Sequence, residues 1–256
     1  MRDEVAGLFA WEVERHSDRV VARALVDEQW WAPDGRLLPL ALPLGLDLAL
    51  GSCAGWGLGS RWVVTSDLAV QVLRPPVPGE IRVEATLEGA GRRTAVVAAL
   101  VTDGGPGVVA SATGGFALAP ASLDRGPFPE TPVGAVRRHS RPRWSHLSPA
   151  DVVAVSRAGD GRVQLGLSER TTNPFGIMHG AVSVHLALET AAVVVDDVTA
   201  VHARFLRPVT LGPAVGVVAG VHRGLGGDVA ARVEVRDPVG RRCVLVDVRG
   251  QAGATG

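Results

Sequence analysis

Hydrophobic and polar positions along this chain follow two periods, and both recur in each half. Two Ala-, Leu- and Val-rich segments, Pro39 to Gly57 and Gly180 to Val195, are largely apolar over a helical length, which predicts buried helices. Val-rich runs with alternating character follow each of them. After the first they are Trp62–Leu73, Ile81–Leu87, Thr94–Thr102 and Gly107–Leu118. After the second they are Thr199–Leu206, Ala214–His222, Asp228–Val235 and Cys243–Val248. Pro-Gly, Gly-Gly and Asp-Pro pairs punctuate these runs, so strands joined by turns are expected. Met1 to Ser17 reads as an amphipathic helix around Val5, Leu8, Phe9 and Val13.

The two halves also share letters. "VQVLRPPVPGEIRVEA" (Val70 to Ala85) and "ARFLRPVTLGPAVGVVA" (Ala203 to Ala219) repeat a strand that ends in Leu-Arg-Pro and a turn. "APDGRLLP" (Ala32 to Pro39) lies against "NPFGIMHG" (Asn173 to Gly180) without a gap, at an offset of 173 − 32 = 141. Between them runs a segment rich in Pro, Gly and charge with no sustained period. The expected organisation is therefore a first domain over 1–118, a linker over 119–142 and a second domain over 143–256. One helix followed by antiparallel strands, written twice, predicts an α+β fold in which a curved sheet wraps around a central helix.

Composition narrows the function classes. The 256 residues carry a formal net charge of zero, which argues against a nucleic-acid or acidic-membrane partner. The most apolar run, Leu37 to Leu58, contains Pro39, Pro43 and Asp47 and suits a buried helix better than a membrane span. No secretory signal is visible, and the two distant cysteines, Cys53 and Cys243, read as buried thiols; a cytoplasmic protein is expected. Lys and Tyr are absent and Ile occurs twice, as in a gene from a GC-rich genome. Against that bias, Asn173 is the only Asn in the chain. No His, Cys and Asp cluster has metal-ligand spacing, so neither a metal nor a cofactor is implied.

The stretch from Asn173 to Gly180 resembles the hotdog-fold thioesterases, specifically their PaaI-like branch. The mark of that branch is N-x-x-G-x-x-H-G-G, an apolar helix with an acid nine residues after the His, and a later strand ending near Arg-Pro. Here Asn173, Gly176, His179 and Gly180 match, whereas Ala181 replaces the second Gly and Leu188 stands at the acid position. Because such proteins work as two-fold dimers, the resemblance implies a double hotdog that carries both protomers in one chain. It also implies an acyl-CoA or acyl-carrier thioester as substrate, with coenzyme A present only as part of it. Two such chains can form a homodimer of double hotdogs.

The missing acid lies in the other half. Moving Leu188 back by 141 gives Asp47, while Asn173, His179 and Gly180 map onto Ala32, Leu38 and Pro39. Family sites are built across the interface, so the fused pair would keep one complete site from Asp47, Asn173, His179 and Gly180 and lose its twin. Some relatives place a Ser or Thr eighteen residues after the acid, and Thr65 stands there (47 + 18 = 65). About nine residues are absent from the corresponding stretch of the second half. The expected roles are Asp47 as general base or nucleophile, Thr65 as holder of the water, and the Gly180 N–H as oxyanion donor. Asn173 would polarise the carbonyl or hold the acid, and His179 would shape the turn. Gly176 is expected in the substrate-binding turn, and Arg74 and Arg207, from the two Leu-Arg-Pro motifs, to meet the phosphates of coenzyme A. Glu189, one residue past Leu188, is rotated about 100° away from the site-facing direction and is expected to pair with an Arg or meet solvent. The alternatives are a non-catalytic acyl-CoA-binding double hotdog and a hotdog hydratase.

Overall fold

The computed structural model of the chain describes residues 5–123, 128–129, 131–139 and 146–252. A 3-10 turn at Val5–Gly7 leads into strands β1 (Glu12–Arg15) and β2 (Arg19–Val26). Helix α1 (Ala41–Gly57) precedes a meander of β3 (Val63–Val72), β4 (Gly79–Ala90), β5 (Thr94–Asp103) and β6 (Val108–Leu118). The linker contributes β7 (Val136–Arg138). The second half runs through helix α2 (Pro149–Val152), β8 (Ser156–Arg157), β9 (Val163–Leu165) and helix α3 (Gly180–Ala191). It ends with β10 (Val198–Phe205), β11 (Ala214–Arg223), β12 (Asp228–Arg236) and β13 (Arg242–Gln251).

All 13 strands of the described residues form one antiparallel sheet in the order β7-β1-β2-β4-β5-β6-β3-β10-β13-β12-β11-β9-β8. Its two halves mirror each other about the β3–β10 seam, where Asp67 pairs with Arg204 and Gln71 with Ala200. The sheet wraps around α1 and α3, which also touch each other. Leu44, Leu46 and Leu50 of α1 and Leu186 of α3 are completely enclosed there. This is a double hotdog.

Backbone hydrogen bonds establish the repeat more sharply than letters do. The bridge Trp31–Leu37 recurs as Thr172–Met178, an offset of 141 at both ends. The turn bonds Ala32 N–H to Arg36 O and Gly35 N–H to Ala32 O recur as Asn173 to Ile177 and Gly176 to Asn173. Gly35 and Gly176 hold φ of 80° and 72°, a left-handed conformation that glycine adopts without steric cost. After the helices the offset changes. Leu73 N–H meets Val109 O and Leu206 N–H meets Cys243 O, so β3 and β10 are related by 206 − 73 = 133. The second half is thus shorter by 141 − 133 = 8 residues between helix and strand, and Thr65 maps onto Val198.

The expected N-terminal helix does not form among the described residues. Val13 is buried between less buried neighbours on β1, a two-residue alternation, and Val5, Leu8 and Phe9 pack into the core from the turn before it. Trp11 decides this arrangement. It is fully enclosed against α1 at Gly45, where any side chain would strike the indole. Tertiary burial of an aromatic side chain overrides the helical spacing seen in the letters.

Candidate active site

Asp47 sits on α1 and His179 caps α3, so the contact between the two helices brings the acid of one half to the turn of the other. The Asp47 side chain is 12% exposed. Its Oδ1 accepts a hydrogen bond from Thr65 Oγ1 at 2.9 Å, and Oδ2 lies 3.4 Å from His179 Nδ1. A Cβ placed on Gly180 would stand 3.3 and 3.5 Å from the two carboxylate oxygens. The carboxylate therefore rests against the first residue of α3, and a glycine there leaves it room. His179 Nδ1 also accepts the Ala181 N–H at 3.2 Å, closing the helix end as an N-cap. Among the described residues the Gly180 N–H has no intramolecular acceptor, which leaves a donor at the helix end on a residue that lines the same cavity.

Asn173 lines this cavity, and its Oδ1 accepts the Phe175 N–H at 3.0 Å in a local turn, which leaves its amide nitrogen for a ligand. Gly176 stays outside the lining and serves the turn through its left-handed backbone. The two arginines behave differently. Arg207 lines the cavity, whereas Arg74 lies at the opposite end of the sheet and is locked to Asp103 by two hydrogen bonds, 2.5 and 2.9 Å long. That guanidinium, with two backbone N–H groups, holds the Asp103 carboxyl well below the usual carboxylate range. In the second half the matching acid, Asp237 (103 + 134 = 237), is taken by Arg241 instead, and Arg207 is exposed without an ion pair among the described residues. Glu189 points elsewhere: it is buried and paired with Arg157 at 3.2 Å.

The cavity has a volume of about 340 Å³. Of its aromatic wall the sequence offers Trp62, which with Trp56 near the end of the first helix reads as either pocket or core; Phe128 and Phe175 were not legible there. Trp62 meets Phe128 and Phe175 edge to face, with ring centroids 5.1 and 5.4 Å apart. Phe128 comes from the linker. So does Arg137, which lines the cavity and donates to Ser52 Oγ at 3.3 Å. His139, two residues on, is held neutral: burial, then the nearby Arg137 and His179, push its pKa down to about 4. The alternation within "AVRRHS" was the one available signal, and it is too short to separate a strand from a linker. Trp56 is buried beside Phe128 and does not line the cavity.

The comparisons with known proteins follow the same lines. Solved structures that superpose over nearly the whole chain include a conserved hot-dog-fold protein of unknown function from Alicyclobacillus acidocaldarius. It covers 100% of both chains with a TM-score of 0.67 at 13% identity. An acyl-ACP thioesterase from Bacteroides thetaiotaomicron covers 90% of this chain and 96% of its own, with a TM-score of 0.59 at 12% identity. The 12:0-ACP thioesterase from Umbellularia californica covers 91% and 97%, also at 0.59, with 13% identity. At such identities these likenesses define the fold. The thioesterase superfamily profile matches residues 46–110, a stretch that holds Asp47 and Thr65. The fold is a double hotdog, and the match to the thioesterase superfamily covers about a quarter of the chain. No curated protein matches it by sequence. No described helix is long and apolar enough to cross a membrane.

Proposed function

We propose that the chain is an acyl thioester hydrolase of PaaI type with a single composite site between its halves. The observation that carries this reading is the Asp47 carboxylate. It is bonded to Thr65 within its own half and set against Gly180 of the other. Thr65 fixes one oxygen and leaves the second, beside Gly180, to accept a proton from a bound water, which favours Asp47 as general base. A water held between Oδ2 and the Thr65 hydroxyl gives its proton to Asp47 while its oxygen adds to the thioester carbonyl. The resulting oxyanion receives the Gly180 N–H, with the Asn173 amide nitrogen as a second donor. Collapse breaks the C–S bond, and the leaving sulfur takes the proton back from Asp47, so thioester and water yield acid and thiol.

The acyl chain lies along the wall of Trp62, Phe128 and Phe175, which suits an aromatic or bulky group. The twin position carries Leu188, Val198, Leu38 and Pro39 and has no acid, hydroxyl or cap with which to work. Release of free thiol from short, long and aromatic acyl-CoAs tests the proposal. Turnover of at least one supports it, and inactivity on all of them alongside tight coenzyme A binding replaces it with the binding-protein alternative.

A further inference from the structure

Helix α1 holds four glycines, Gly45, Gly51, Gly55 and Gly57, although glycine lowers helix stability relative to alanine. Packing accounts for three of them. A methyl group on Gly45 would strike the Trp11 indole. One on Gly55 would stand 2.8 Å from the Phe128 ring and 3.0 Å from the Arg61 carbonyl oxygen, and one on Gly57 would stand 2.8 Å from Leu87. Gly51 is different. Among the described residues the only atom within 4 Å of a carbon built there is Phe116 Cε1, at 3.6 Å, an ordinary contact distance. Its backbone is regular helix with no positive φ, so conformation does not call for glycine either. The protein leaves room for a side chain at this position and does not fill it.

That room belongs to the cavity that holds Asp47, which Gly51 lines together with Leu48, Trp62 and Phe116. Asp47 and Gly51 are four residues apart, so they share one face of α1 and lie about 6 Å from each other along its axis. The helix then runs on to Gly55 and Trp56, which both meet Phe128. Gly51 therefore stands between the carboxylate and the aromatic wall, on the path an acyl group takes from the reacting carbon to that wall. In the other half the residue at the same place, Ala192 by the offset of 141, carries a methyl group.

We infer that Gly51 is the specificity-determining residue of the acyl pocket. Its bare backbone receives a ring or branch carried on the carbon next to the thioester carbonyl, so the substrates are branched or ring-bearing acyl groups in preference to short unbranched ones. An unbranched chain passes a methyl group without loss and gives no reason for glycine here. A bulky group needs the volume of the missing side chain, because a packed interior has no other space to yield. A glycine kept against helix stability and without a packing demand marks a position where binding and folding favour different residues. The inference rests on the hydrolase reading for the bond that breaks; the shape of the pocket is tested by itself.

The test compares the intact wild type with Gly51→Ala, Gly51→Val and, as a packing control, Gly55→Ala. It measures kcat/KM for acetyl-coenzyme A and cyclohexanecarbonyl-coenzyme A, and the thermal midpoint of each protein. Wild type is expected to prefer the cyclohexane ester. The ratio of the two kcat/KM values should fall about tenfold in Gly51→Ala and about 100-fold in Gly51→Val. Gly51→Ala is expected to raise the midpoint by about 2 °C while Gly55→Ala lowers it, whereas a packing role for Gly51 would lower both. A wild type that prefers acetyl, an unchanged ratio in the Gly51 variants, or a lower midpoint in Gly51→Ala overturns the inference. If Gly51→Val does not fold, the Gly51→Ala ratio decides. Calorimetric binding of two thioethers, S-cyclohexylmethyl- and S-ethyl-coenzyme A, separates this inference from the hydrolase reading. A wild type that hydrolyses neither ester, yet loses about tenfold in affinity for the cyclohexylmethyl thioether alone on Gly51→Ala, refutes the hydrolase reading and leaves the pocket in place. Equal binding of that thioether by wild type and Gly51→Ala refutes the pocket whether or not turnover occurs.

Discussion

Replacing Thr65 by Val turns one element of the proposed site into its counterpart in the other half, because Val198 is the residue the second half carries at that place. The change preserves shape and removes one hydroxyl. That hydroxyl donates to Asp47 Oδ1 at 2.9 Å, and the carboxylate side chain is only 12% exposed, so water replaces the lost bond poorly. A hydrogen bond to a charged group contributes about 1.5–3 kcal/mol net. If that contribution holds the carboxylate and its water in the reacting geometry, its loss lowers kcat by about 10- to 100-fold. KM should change little, since the acyl and carrier contacts remain. Thr65→Ser restores the donor and is expected to recover most of kcat, which separates the hydrogen bond from packing. Steady-state thiol release on one acyl-CoA gives both constants, with the thermal midpoint as a check on folding. A Thr65→Val enzyme that keeps full kcat would refute the role assigned to this pair.

Further outcomes follow from the same geometry. Gly180→Ala places a methyl carbon 3.3 Å from Asp47 Oδ2 and 3.5 Å from Phe205, close enough to push the carboxylate by a few tenths of an ångström. Activity should drop about tenfold or more, with stability within about 1 kcal/mol of wild type by chemical denaturation. Phe128→Ala removes a buried ring from between Trp56 and Trp62 and should cost about 3 kcal/mol of stability while shifting acyl preference towards larger groups; unchanged selectivity across an acyl-CoA panel would remove the linker from the acyl pocket. Burial lowers the pKa of both His139 and His185 to about 4 from an ordinary value of 6.5. The unfolded chain then binds more protons between those values, so stability is complete above about pH 6.5 and falls as pH drops towards 4, by roughly 3 kcal/mol for each histidine. Denaturation midpoints at pH 7 and pH 5 should show the decline, and a flat profile would mean that these rings are solvated.

Much of this protein could be read from its letters, because the chain contains its own comparison. The two long helices and the eight strands that follow them announced themselves through apolar runs and Val-rich alternation, whereas β2, as long as β10, did not. The offset of 141 carried Leu188 to Asp47, and hydrogen bonds in the two turns repeat at that same offset. What stayed hidden depends on contacts between distant segments. β1 is four residues long and its neighbours carry apolar side chains at near-helical spacing, so only the burial of Trp11 against Gly45 settles its conformation. The linker has no sustained period, yet Phe128 and Arg137 reach the cavity through partners 66 and 85 positions away, Trp62 and Ser52. Arg74 and Arg207 share a motif and differ in fate, because the Gly107 position of one half is Arg241 in the other and captures the matching acid. No local pattern reports that exchange.

The central claim is that one site is assembled from both halves, with the acid from the first and the helix end from the second. Hydrolysis of acyl-CoAs by wild type, Asp47→Asn and Glu189→Gln tests it most directly. Asn keeps an acceptor for Thr65 and cannot take up a proton, so Asp47→Asn should lose about 100- to 10,000-fold in kcat while remaining folded. Glu189→Gln should keep its activity, since Glu189 is occupied by Arg157 away from the cavity. Full activity in Asp47→Asn together with loss in Glu189→Gln would place the chemistry within the second half alone and contradict the composite site.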